Sequence, residues 1–373
     1  MVRLQIVRKR TANRHGCQQK GNHMRVKTKQ IFVGNVAVGG DAPIRVQSMT
    51  NTDTKDIEAT VAQIRAFEDA GCAISRSAIN SLEDAKAIPV IKERTHIPFV
   101  ADIQFDYRLA LYAVEYGCDC LRINPGNIGE DEKVKMVVDA CKAKKIPLRI
   151  GVNSGSVHQK MIEKYHGVNV ESLVYSALEE VRRIEDFGYD QMKVSIKASD
   201  VRTMVEANEL FSTLSDYPLH IGVTEAGPVY TGTVKSAMGI GALLLRGIGD
   251  TIRVSLTGDP VEEVRLGNEI LKVLGIRKEG VELISCPTCA RTKIDLVTLV
   301  AQAEKALALQ HKNLRVAIMG CPVNGPGEAR EADIGIAGNN GSGVLFKKGK
   351  VIRQVPEEHL LDALLDEIEQ MEN

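Results

Sequence analysis

The sequence predicts an α/β protein, a (β/α)8 TIM barrel followed by a smaller α/β domain. From residue 44 onward, eight short apolar runs alternate with segments that carry apolar residues at helical spacing. Eight such units in about 230 residues match the size of a closed barrel of this kind. After residue 275 the alternation stops, and a different order of strands and helices follows. The chain therefore divides into a barrel and a second domain.

The eight predicted barrel strands are short and rich in Ile, Val and Leu. In chain order they are IRVQSM (44–49), CAISRSAI (72–79), PFVADI (98–103), CLRINP (120–125), PLRIGVN (147–153), QMKVSIKAS (191–199), PLHIGVTEAG (218–227) and DTIRVSL (250–256). Amphipathic segments such as 56–71 separate them, and Gly71, Gly117 and Gly188 stand where helices would stop. The alternative is an open doubly wound sheet, which often has a glycine-rich dinucleotide turn after its first strand. That turn is absent from this sequence, so we favour the barrel.

The C-terminal segment predicts a separate domain over residues 276–373, after a barrel domain over 25–275. Its predicted strands are VELISCPT (281–288), LRVAIMG (314–320) and DIGIAG (333–338), with a hairpin over 343–355. Two helices are predicted, over 293–310 and 356–371. The charged stretch IRKEG (276–280) is the expected linker.

The chain carries 48 Lys+Arg and 48 Asp+Glu, so no overall field favours a nucleic acid or a membrane as partner. Residues 1–40, however, hold nine Lys or Arg and no acid. The first 24 residues lack the apolar core of a secretory signal. We expect a disordered basic leader with Met24 as a candidate start; the alternative is a nucleic-acid-binding arm.

Two further features concern the compartment. No run of 18 apolar residues occurs, so no membrane span is predicted. The chain has eight cysteines and no recognisable secretory signal. This combination indicates a reducing, cytoplasmic location in which disulfides are not expected.

Polar residues interrupt the predicted strands, mostly near their carboxyl ends, where barrel enzymes place their chemistry. Parallel strands that are covered on both faces normally read as continuous apolar runs. The polar set comprises Arg76, Asp102, Arg122, Asn124, Arg149, Asn153, Lys193, Ser195, Lys197, Glu225, Arg253 and Ser255. Spacings of two, as at 122/124, 193/195/197 and 253/255, put neighbouring members on one face.

The cations in this set outnumber the acids. Asp102 and Glu225 cannot neutralise four arginines and Lys197, and like charges in a confined space need an anion. We therefore predict a strongly anionic substrate that carries two phosphates, because guanidinium groups match phosphate geometry. The alternative for one or two members is a buried ion pair that locks the barrel. The absence of Trp and an aromatic content of 4% argue against a single-stranded nucleic-acid channel.

Three cysteines of the second domain form a candidate metal site. Cys286 and Cys289 make a C-P-T-C turn after a predicted strand, and Cys321 opens the loop GCPVNGPGEA (320–329) after another. C-x2-C and Cys-Pro are both features of iron–sulfur sites. Three thiolates are one short of a closed four-cysteine site, structural zinc included. Glu328 is either a fourth, weakly bound ligand or a solvated loop acid, and zinc remains the alternative metal.

With these residues identified, the chain resembles the bacterial 4-hydroxy-3-methylbut-2-enyl diphosphate synthase family of isoprenoid biosynthesis. The resemblance extends from about Lys29 to Met371. It is carried by VQSMTNTDT (46–54), ADIQFDYR (101–108), CLRINPGNIG (120–129), RIGVN (149–153), KVSIKASD (193–200), TEAG (224–227), GIGDTIRVSL (247–256), CPTC (286–289) and GCPVNGPGEA (320–329).

The resemblance implies a TIM barrel with a [4Fe–4S] domain whose cluster ligands are Cys286, Cys289, Cys321 and Glu328. The implied reaction is the reductive ring opening and dehydration of 2-C-methyl-D-erythritol 2,4-cyclodiphosphate, with electrons from reduced ferredoxin or flavodoxin. A homodimer is implied, in which the cluster domain of one subunit closes over the barrel of the other. The residues implied to face the diphosphate are Arg76, Arg122, Asn124, Arg149, Asn153, Lys197, Arg253 and Ser255.

The resemblance also places Asp102 and Glu225 near the reacting carbons. Glu225 is the candidate proton donor or relay, because it is an acid at a barrel mouth among cations. Gln104 stands where this family commonly has His, and we expect it to be a further substrate-binding residue because its amide can still donate a hydrogen bond.

Two rival functions remain on the sequence alone. The first is a zinc-stabilised TIM-barrel lyase or transferase that acts on a phosphorylated or pterin-like substrate without redox chemistry. The second is an RNA-binding protein that uses the basic leader and a zinc knuckle.

Overall fold

The computed structural model describes residues 25–278, 280–308, 310, 312–322 and 329–371. The expected leader, residues 1–24, lies outside the described residues. By its contacts the chain divides into two compact units, with the division between Ile270 and Leu271. In the described part of the chain, no helix is both long enough and apolar enough to span a bilayer.

The described chain begins with a short antiparallel hairpin, β1 (Ile31–Val33) and β2 (Val36–Val38). The sequence patterns did not predict this hairpin. Its inward residues Ile31, Val33 and Val38 form one apolar cluster with residues at or near the amino ends of barrel strands, such as Ile74 and Cys120. The hairpin therefore closes the amino-terminal end of the barrel with apolar surface, at the end opposite the predicted chemistry.

Eight parallel strands form the barrel, as predicted. They are β3 (Arg45–Met49), β4 (Ile74–Ala78), β5 (Phe99–Asp102), β6 (Cys120–Ile123), β7 (Leu148–Asn153), β8 (Met192–Lys197), β9 (His220–Ile221) and β10 (Thr251–Ile252). Each pairs with the next in chain order from β3 to β8, and β10 pairs with both β9 and β3. A single bridge between Val194 and Leu219 joins β8 to the residue before β9. This bridge joins the two ends of the strand order, so the sheet forms a nearly closed barrel.

Helices follow each of the eight strands and cover the outside of the sheet. They are Ile57–Asp69, Leu82–Glu93, Tyr107–Glu115, Pro125–Ile128 with Asp131–Lys144, Gln159–Lys164 with Val170–Asp186, Val201–Leu214, Val229–Leu244 and Pro260–Val273. Several begin at side chains that cap the first turn, for example Asp56 and Asp200. The short helix Gln159–Lys164 was not predicted.

The last two barrel strands are much shorter than predicted. At Gly222, just after β9, the backbone passes close to the segment after β10: a Cβ at Gly222 would lie 2.2 Å from the Arg253 carbonyl oxygen. Arg253 N still donates to Ile221 O at 3.0 Å. The shortened strands therefore keep the backbone contact that fixes Arg253 beside Gly222.

The second unit is a five-stranded sheet in the order β11 (Val281–Ser285), β12 (Leu314–Met319), β13 (Ile334–Asn339), β14 (Ser342–Lys347) and β15 (Lys350–Pro356). The first three strands are parallel and the last three antiparallel. Alternate residues of β12 face opposite sides: Val316 and Ile318 pack with helices Leu296–Leu307 and Leu360–Glu369, whereas Ala317 and Met319 pack with Phe346. All the predicted strands and both predicted helices of this domain are present.

Candidate active site

The polar strand residues meet inside the barrel because the parallel register aligns them. Asp102 of β5 pairs with Arg122 of β6, and Arg122 pairs with Arg149 of β7. Arg149 in turn pairs with Lys193 of β8. These side chains are buried, with Arg122 the most exposed at 8%. We call the set Arg76, Arg122, Arg149, Lys197 and Arg253 the cation collar.

Asp102 is the acid around which one side of the cation collar is arranged. Its Oδ1 accepts a hydrogen bond from Arg122 Nη1 at 3.0 Å, and its Oδ2 lies 3.7 Å from Arg76 Nε. Burial alone would raise the pKa of Asp102, but the charges of Arg76, Arg122 and Arg149 outweigh it and lower that pKa. Asp102 is therefore a carboxylate that holds two guanidinium groups in place.

Gln104 completes this arrangement. Its Nε2 donates to Asp102 Oδ2 at 3.3 Å, and its Oε1 accepts from Arg122 Nη1 at 3.3 Å. The neutral amide of Gln104 thus links the Asp102 carboxylate to the Arg122 guanidinium without adding charge.

The far side of the cation collar has more charge than the protein neutralises. Arg149 is 2% exposed and donates through Nη2 to Ser195 Oγ at 3.2 Å. Among the described residues, its Nε and Nη1 have no hydrogen-bond partner. Burial, with repulsion from Arg76 and Arg122, lowers the pKa of Arg149 well below its ordinary value. The pKa of Lys197 is also well below its ordinary value, through burial and the charges of Arg253 and Arg149. Such a site favours binding of an anion.

A second acid, Glu263, was missed by sequence reasoning. It projects from helix Pro260–Val273 and is 5% exposed. Its Oε2 lies 3.8 Å from Arg253 Nη2, and its Oε1 accepts from Leu256 N at 2.9 Å. A glutamate in the first turn of a helix is typical of a solvated helix acid, so the sequence offered no signal for this contact.

The remaining predicted residues lie at the same end of the barrel. Asn124 is buried at the start of helix Pro125–Ile128, and Asn153, the last residue of β7, is half-buried. Ser255 is half-buried two residues after Arg253. Glu225 is exposed, in the loop after β9, with a left-handed backbone (φ 52°). Non-glycine residues seldom adopt this left-handed conformation, and those that do are often found in constrained loops at functional sites.

Beneath the cation collar, the barrel interior is also polar. Gln47, Lys193 and His220 are each at most 1% exposed. His220 Nδ1 lies 2.8 Å from Thr251 Oγ1. Within the described chain, Lys193 Nζ, His220 Nε2 and both amide atoms of Gln47 have no hydrogen-bond partner. Burial lowers the pKa of Lys193 to about 8. The spacing of 193, 195 and 197 was the sequence signal for Lys193; His220 and Gln47 stood in predicted strands but were not selected.

The three cysteines of the second unit lie at the carboxyl ends of two neighbouring strands. Cys286 follows β11 directly, and Cys321 stands two residues after β12. The two strands run side by side as far as the pair Ser285 and Ile318. Gly320 N donates to Cys286 Sγ at 3.2 Å, so the two strand ends touch. Cys289 is exposed. A backbone hydrogen bond from Arg291, with further help from its side chain, lowers the pKa of the Cys289 thiol.

The other four described cysteines lie in the barrel unit. Cys72, Cys118, Cys120 and Cys141 are buried in the barrel unit, and burial raises the pKa of each thiol. In the described ranges, no three His, Cys, Asp or Glu side chains converge closely enough to hold a metal ion. Glu328, the predicted fourth ligand, lies outside the described residues. The donor set nevertheless fits an iron–sulfur group, because a backbone N–H already points at Cys286 Sγ and Cys289 favours the thiolate.

Fold and site together define a class: a TIM barrel with a collar of buried and half-buried cations, followed by a separate sheet domain with three cysteines at or after its strand ends. Family models match both parts. The model of the GcpE TIM-barrel domain matches residues 28–268, and that of the GcpE protein C-terminal domain matches residues 282–370. The chain belongs to the GcpE family.

Relatives from three bacteria match almost the whole chain, and each is named 4-hydroxy-3-methylbut-2-en-1-yl diphosphate synthase (flavodoxin). The protein from Caldanaerobacter subterraneus is 56% identical over 348 residues, which cover 93% of this chain and 98% of the relative. The protein from Clostridium perfringens is 55% identical over 92% of this chain and 99% of its own length. The protein from Geobacter sulfurreducens is 55% identical over 93% of this chain and 99% of its own length.

Proposed function

We propose that this chain converts 2-C-methyl-D-erythritol 2,4-cyclodiphosphate into 4-hydroxy-3-methylbut-2-enyl diphosphate, the product for which its relatives are named. The observation that supports this most strongly is the excess of buried cations at the barrel mouth. Arg149 and Arg253 keep guanidinium N–H groups without partners among the described residues. A diphosphate supplies both the negative charge and the acceptor oxygens that these groups lack.

The residues divide into those that hold the diphosphate and those that act near the carbon skeleton. We assign the diphosphate to Arg76, Arg122, Arg149, Lys197 and Arg253, with Asn124, Asn153 and Ser255 as neutral donors. Asp102 and Gln104 keep Arg76 and Arg122 oriented when no ligand is bound. Glu225, which is exposed at the mouth, is the group we assign to deliver or relay a proton to the departing oxygen.

Membership of the GcpE family implies an iron–sulfur centre, which we propose to be a [4Fe–4S] cluster held by Cys286, Cys289, Cys321 and Glu328. When bound, such a cluster would supply the electrons that break the carbon–oxygen bond. A carboxylate is a weaker ligand than a thiolate for a soft metal site, so one iron would remain exchangeable. The names of the relatives support flavodoxin as electron donor, with ferredoxin as the alternative. We also propose a homodimer.

Anaerobic preparation of the full chain tests this function directly. We expect about four irons and four sulfides per chain, broad absorption near 400 nm, and turnover of the cyclodiphosphate with dithionite or reduced flavodoxin. A colourless protein with stoichiometric zinc would favour the zinc-stabilised lyase or transferase instead. An iron-loaded protein that leaves the cyclodiphosphate unchanged would contradict the proposed reaction.

A further inference from the structure

A half-buried histidine outside the cation collar lies between two loops at the mouth of the barrel. His158 stands in the loop after β7. Its Nδ1 is 2.9 Å from Glu179 Oε2, and its Nε2 is 2.6 Å from Glu180 Oε1. Both carboxylates project from helix Val170–Asp186. Both ring nitrogens face a carboxylate oxygen, and this arrangement favours the imidazolium, the form in which both nitrogens donate.

The charged groups around His158 come from three helices. Glu180 is almost fully buried, and its other oxygen lies 3.6 Å from Arg183 Nη1. Glu179 also pairs with Lys160 of helix Gln159–Lys164. Arg183 in turn pairs with Asp131 of helix Asp131–Lys144 at 2.7 Å. Each glutamate thus has a second cation, so the cluster stays near neutral only while His158 is charged.

This cluster holds the loop after β7. His158 N donates to Ser176 Oγ at 3.2 Å, which fixes its backbone on helix Val170–Asp186. Upstream, Asn153 N donates to Ser156 Oγ at 3.0 Å, and that hydroxyl donates back to Asn153 O at 3.2 Å. The segment from Asn153 to His158 is therefore a closed turn with its far end attached to the helix.

The same cluster touches the loop after β6. Arg183 donates to the carbonyl oxygens of Pro125 at 3.3 Å and Gly129 at 2.7 Å. A Cβ at Gly126 would lie 3.4 Å from His158 Nε2, 3.5 Å from Asn124 Oδ1 and 3.5 Å from Glu180 Oε1. The imidazolium, the amide of Asn124 and the buried carboxylate thus meet around one glycine.

We propose that His158 is a positioning residue whose imidazolium ties the loop bearing Asn153 to the loop bearing Asn124, so that loss of its proton loosens both loops. The expected effect on substrate binding by Asn124 and Asn153 rests on the proposed function. The coupling of the two loops rests only on the contacts described above.

The direction of the pH effect follows from the contacts. Hydrogen bonding to Glu180 is the largest cause that raises the pKa of His158 above its ordinary value, and Glu179 adds to it. The tie is therefore complete below pH about 6.5, the ordinary histidine pKa. It weakens as the pH rises through the raised pKa of the folded protein. Substrate KM should rise over that interval while kcat stays level.

Hydrogen exchange on the anaerobic holoprotein tests the loops without reference to turnover. In His158→Gln, we expect amides of residues 124–129 and 153–158 to exchange about tenfold faster than in the wild type at pH 6.5, the effect of losing hydrogen bonds to charged groups. His96→Gln is the matched control. Its ring also contacts a glutamate, Glu68, at 3.2 Å, but it is 87% exposed and precedes β5 at the opposite end of the barrel. Unchanged exchange of both loops in His158→Gln would overturn the proposal.

Kinetics against pH separate positioning from a merely structural role. We expect His158→Gln to raise KM for the cyclodiphosphate about tenfold at pH 6.5, with kcat within about twofold, and to lose the wild-type rise of KM between neutral and alkaline pH. His158→Arg, which can span both carboxylates and does not titrate, should restore a low KM that is flat with pH. A wild-type pH profile in His158→Gln would overturn the proposal. If the wild type itself fails to turn over the cyclodiphosphate, the proposed function falls, and hydrogen exchange still decides the role of His158.

Discussion

The cation collar of the barrel and the three cysteines of the sheet unit occupy similar positions on their strands but differ in how their side chains are held. Both lie at the carboxyl ends of parallel strands, one in the barrel and one in the five-stranded sheet. In the barrel, Asp102 and Glu263 already orient Arg76, Arg122 and Arg253 without a ligand. In the sheet unit, the thiols differ in environment: Cys321 is 5% exposed, Cys286 is half-buried and Cys289 is exposed. Strand register and counter-ions thus hold the charged groups of the barrel site in place, whereas the three thiols of the sheet unit share no common environment.

The largest expected effect is loss of iron and of turnover on substitution of Cys321, with diphosphate binding by the barrel unchanged. Cys321→Ser should remove iron binding and all turnover, because a serine hydroxyl is a harder and weaker ligand than a thiolate. Affinity of the barrel for inorganic diphosphate should remain. Iron and sulfide analysis with calorimetric diphosphate titration measures both. Cys141→Ala, at a fully buried cysteine of helix Asp131–Lys144, is the control and should keep its iron. Full iron content in Cys321→Ser would show that Cys321 is not a ligand.

The second expected effect is weaker substrate binding on substitution of Arg149 in the cation collar, with iron content unchanged. Arg149→Met should raise the KM for the cyclodiphosphate roughly 10²- to 10³-fold, because it removes a buried cation that would bond the ligand. Iron content and thermal stability should not fall, since the removed charge is repelled by Arg76 and Arg122. Arg108→Met, at an arginine that is 67% exposed and paired with Asp106, is the control and should match the wild type. A large loss of stability in Arg149→Met would mean that this guanidinium is structural.

The third expected effect is on stability, and it concerns the buried charge of Lys193 in the barrel interior. Lys193 has a pKa of about 8 in the folded protein, against an ordinary lysine value of 10.5, because of burial. Below pH 8 the folded protein carries a buried ammonium at a cost of about 3 kcal/mol. Between pH 8 and 10.5 the unfolded chain binds more protons than the folded one, so the stability of the wild type rises.

Lys193→Met should therefore be more stable than the wild type at pH 7, with an advantage that shrinks toward pH 10. Urea unfolding followed by circular dichroism at the two pH values measures this difference. Lys135→Met, at an exposed lysine paired with Asp139, is the control and should follow the pH dependence of the wild type. An advantage that is the same at both pH values would show that folding does not lower the pKa of Lys193, as expected if its ammonium group had a partner in the folded protein.

Sequence patterns predicted the barrel because its signals are local: apolar runs mark strands, and glycines mark helix ends. They predicted the cation collar because its arginines and its lysine interrupt predicted barrel strands that would otherwise read as apolar runs. Glu263 was not predicted because a glutamate in the first turn of a helix is typical of a solvated acid. The Glu179–His158–Glu180 cluster was not predicted because its histidine and its glutamates stand in different elements, with no spacing pattern that links them. The hairpin β1–β2 escaped because its two three-residue strands are shorter than any periodicity can reveal.

The smallest expected effect is at Gly222, where the cation collar depends on a close backbone contact. A Cβ at this position would lie 2.2 Å from Arg253 O and 3.1 Å from Lys197 Nζ, so Gly222→Ala must displace the backbone that carries Arg253. We expect a loss of about 2 kcal/mol in stability and a weaker affinity for inorganic diphosphate, with unchanged iron content. Gly241→Ala is the control, because a Cβ there meets nothing within 4 Å in helix Val229–Leu244. If Gly222→Ala loses stability but binds diphosphate as the wild type does, then the position of Arg253 matters less than its charge, and the cation collar acts as a diffuse field rather than as a set of aligned donors.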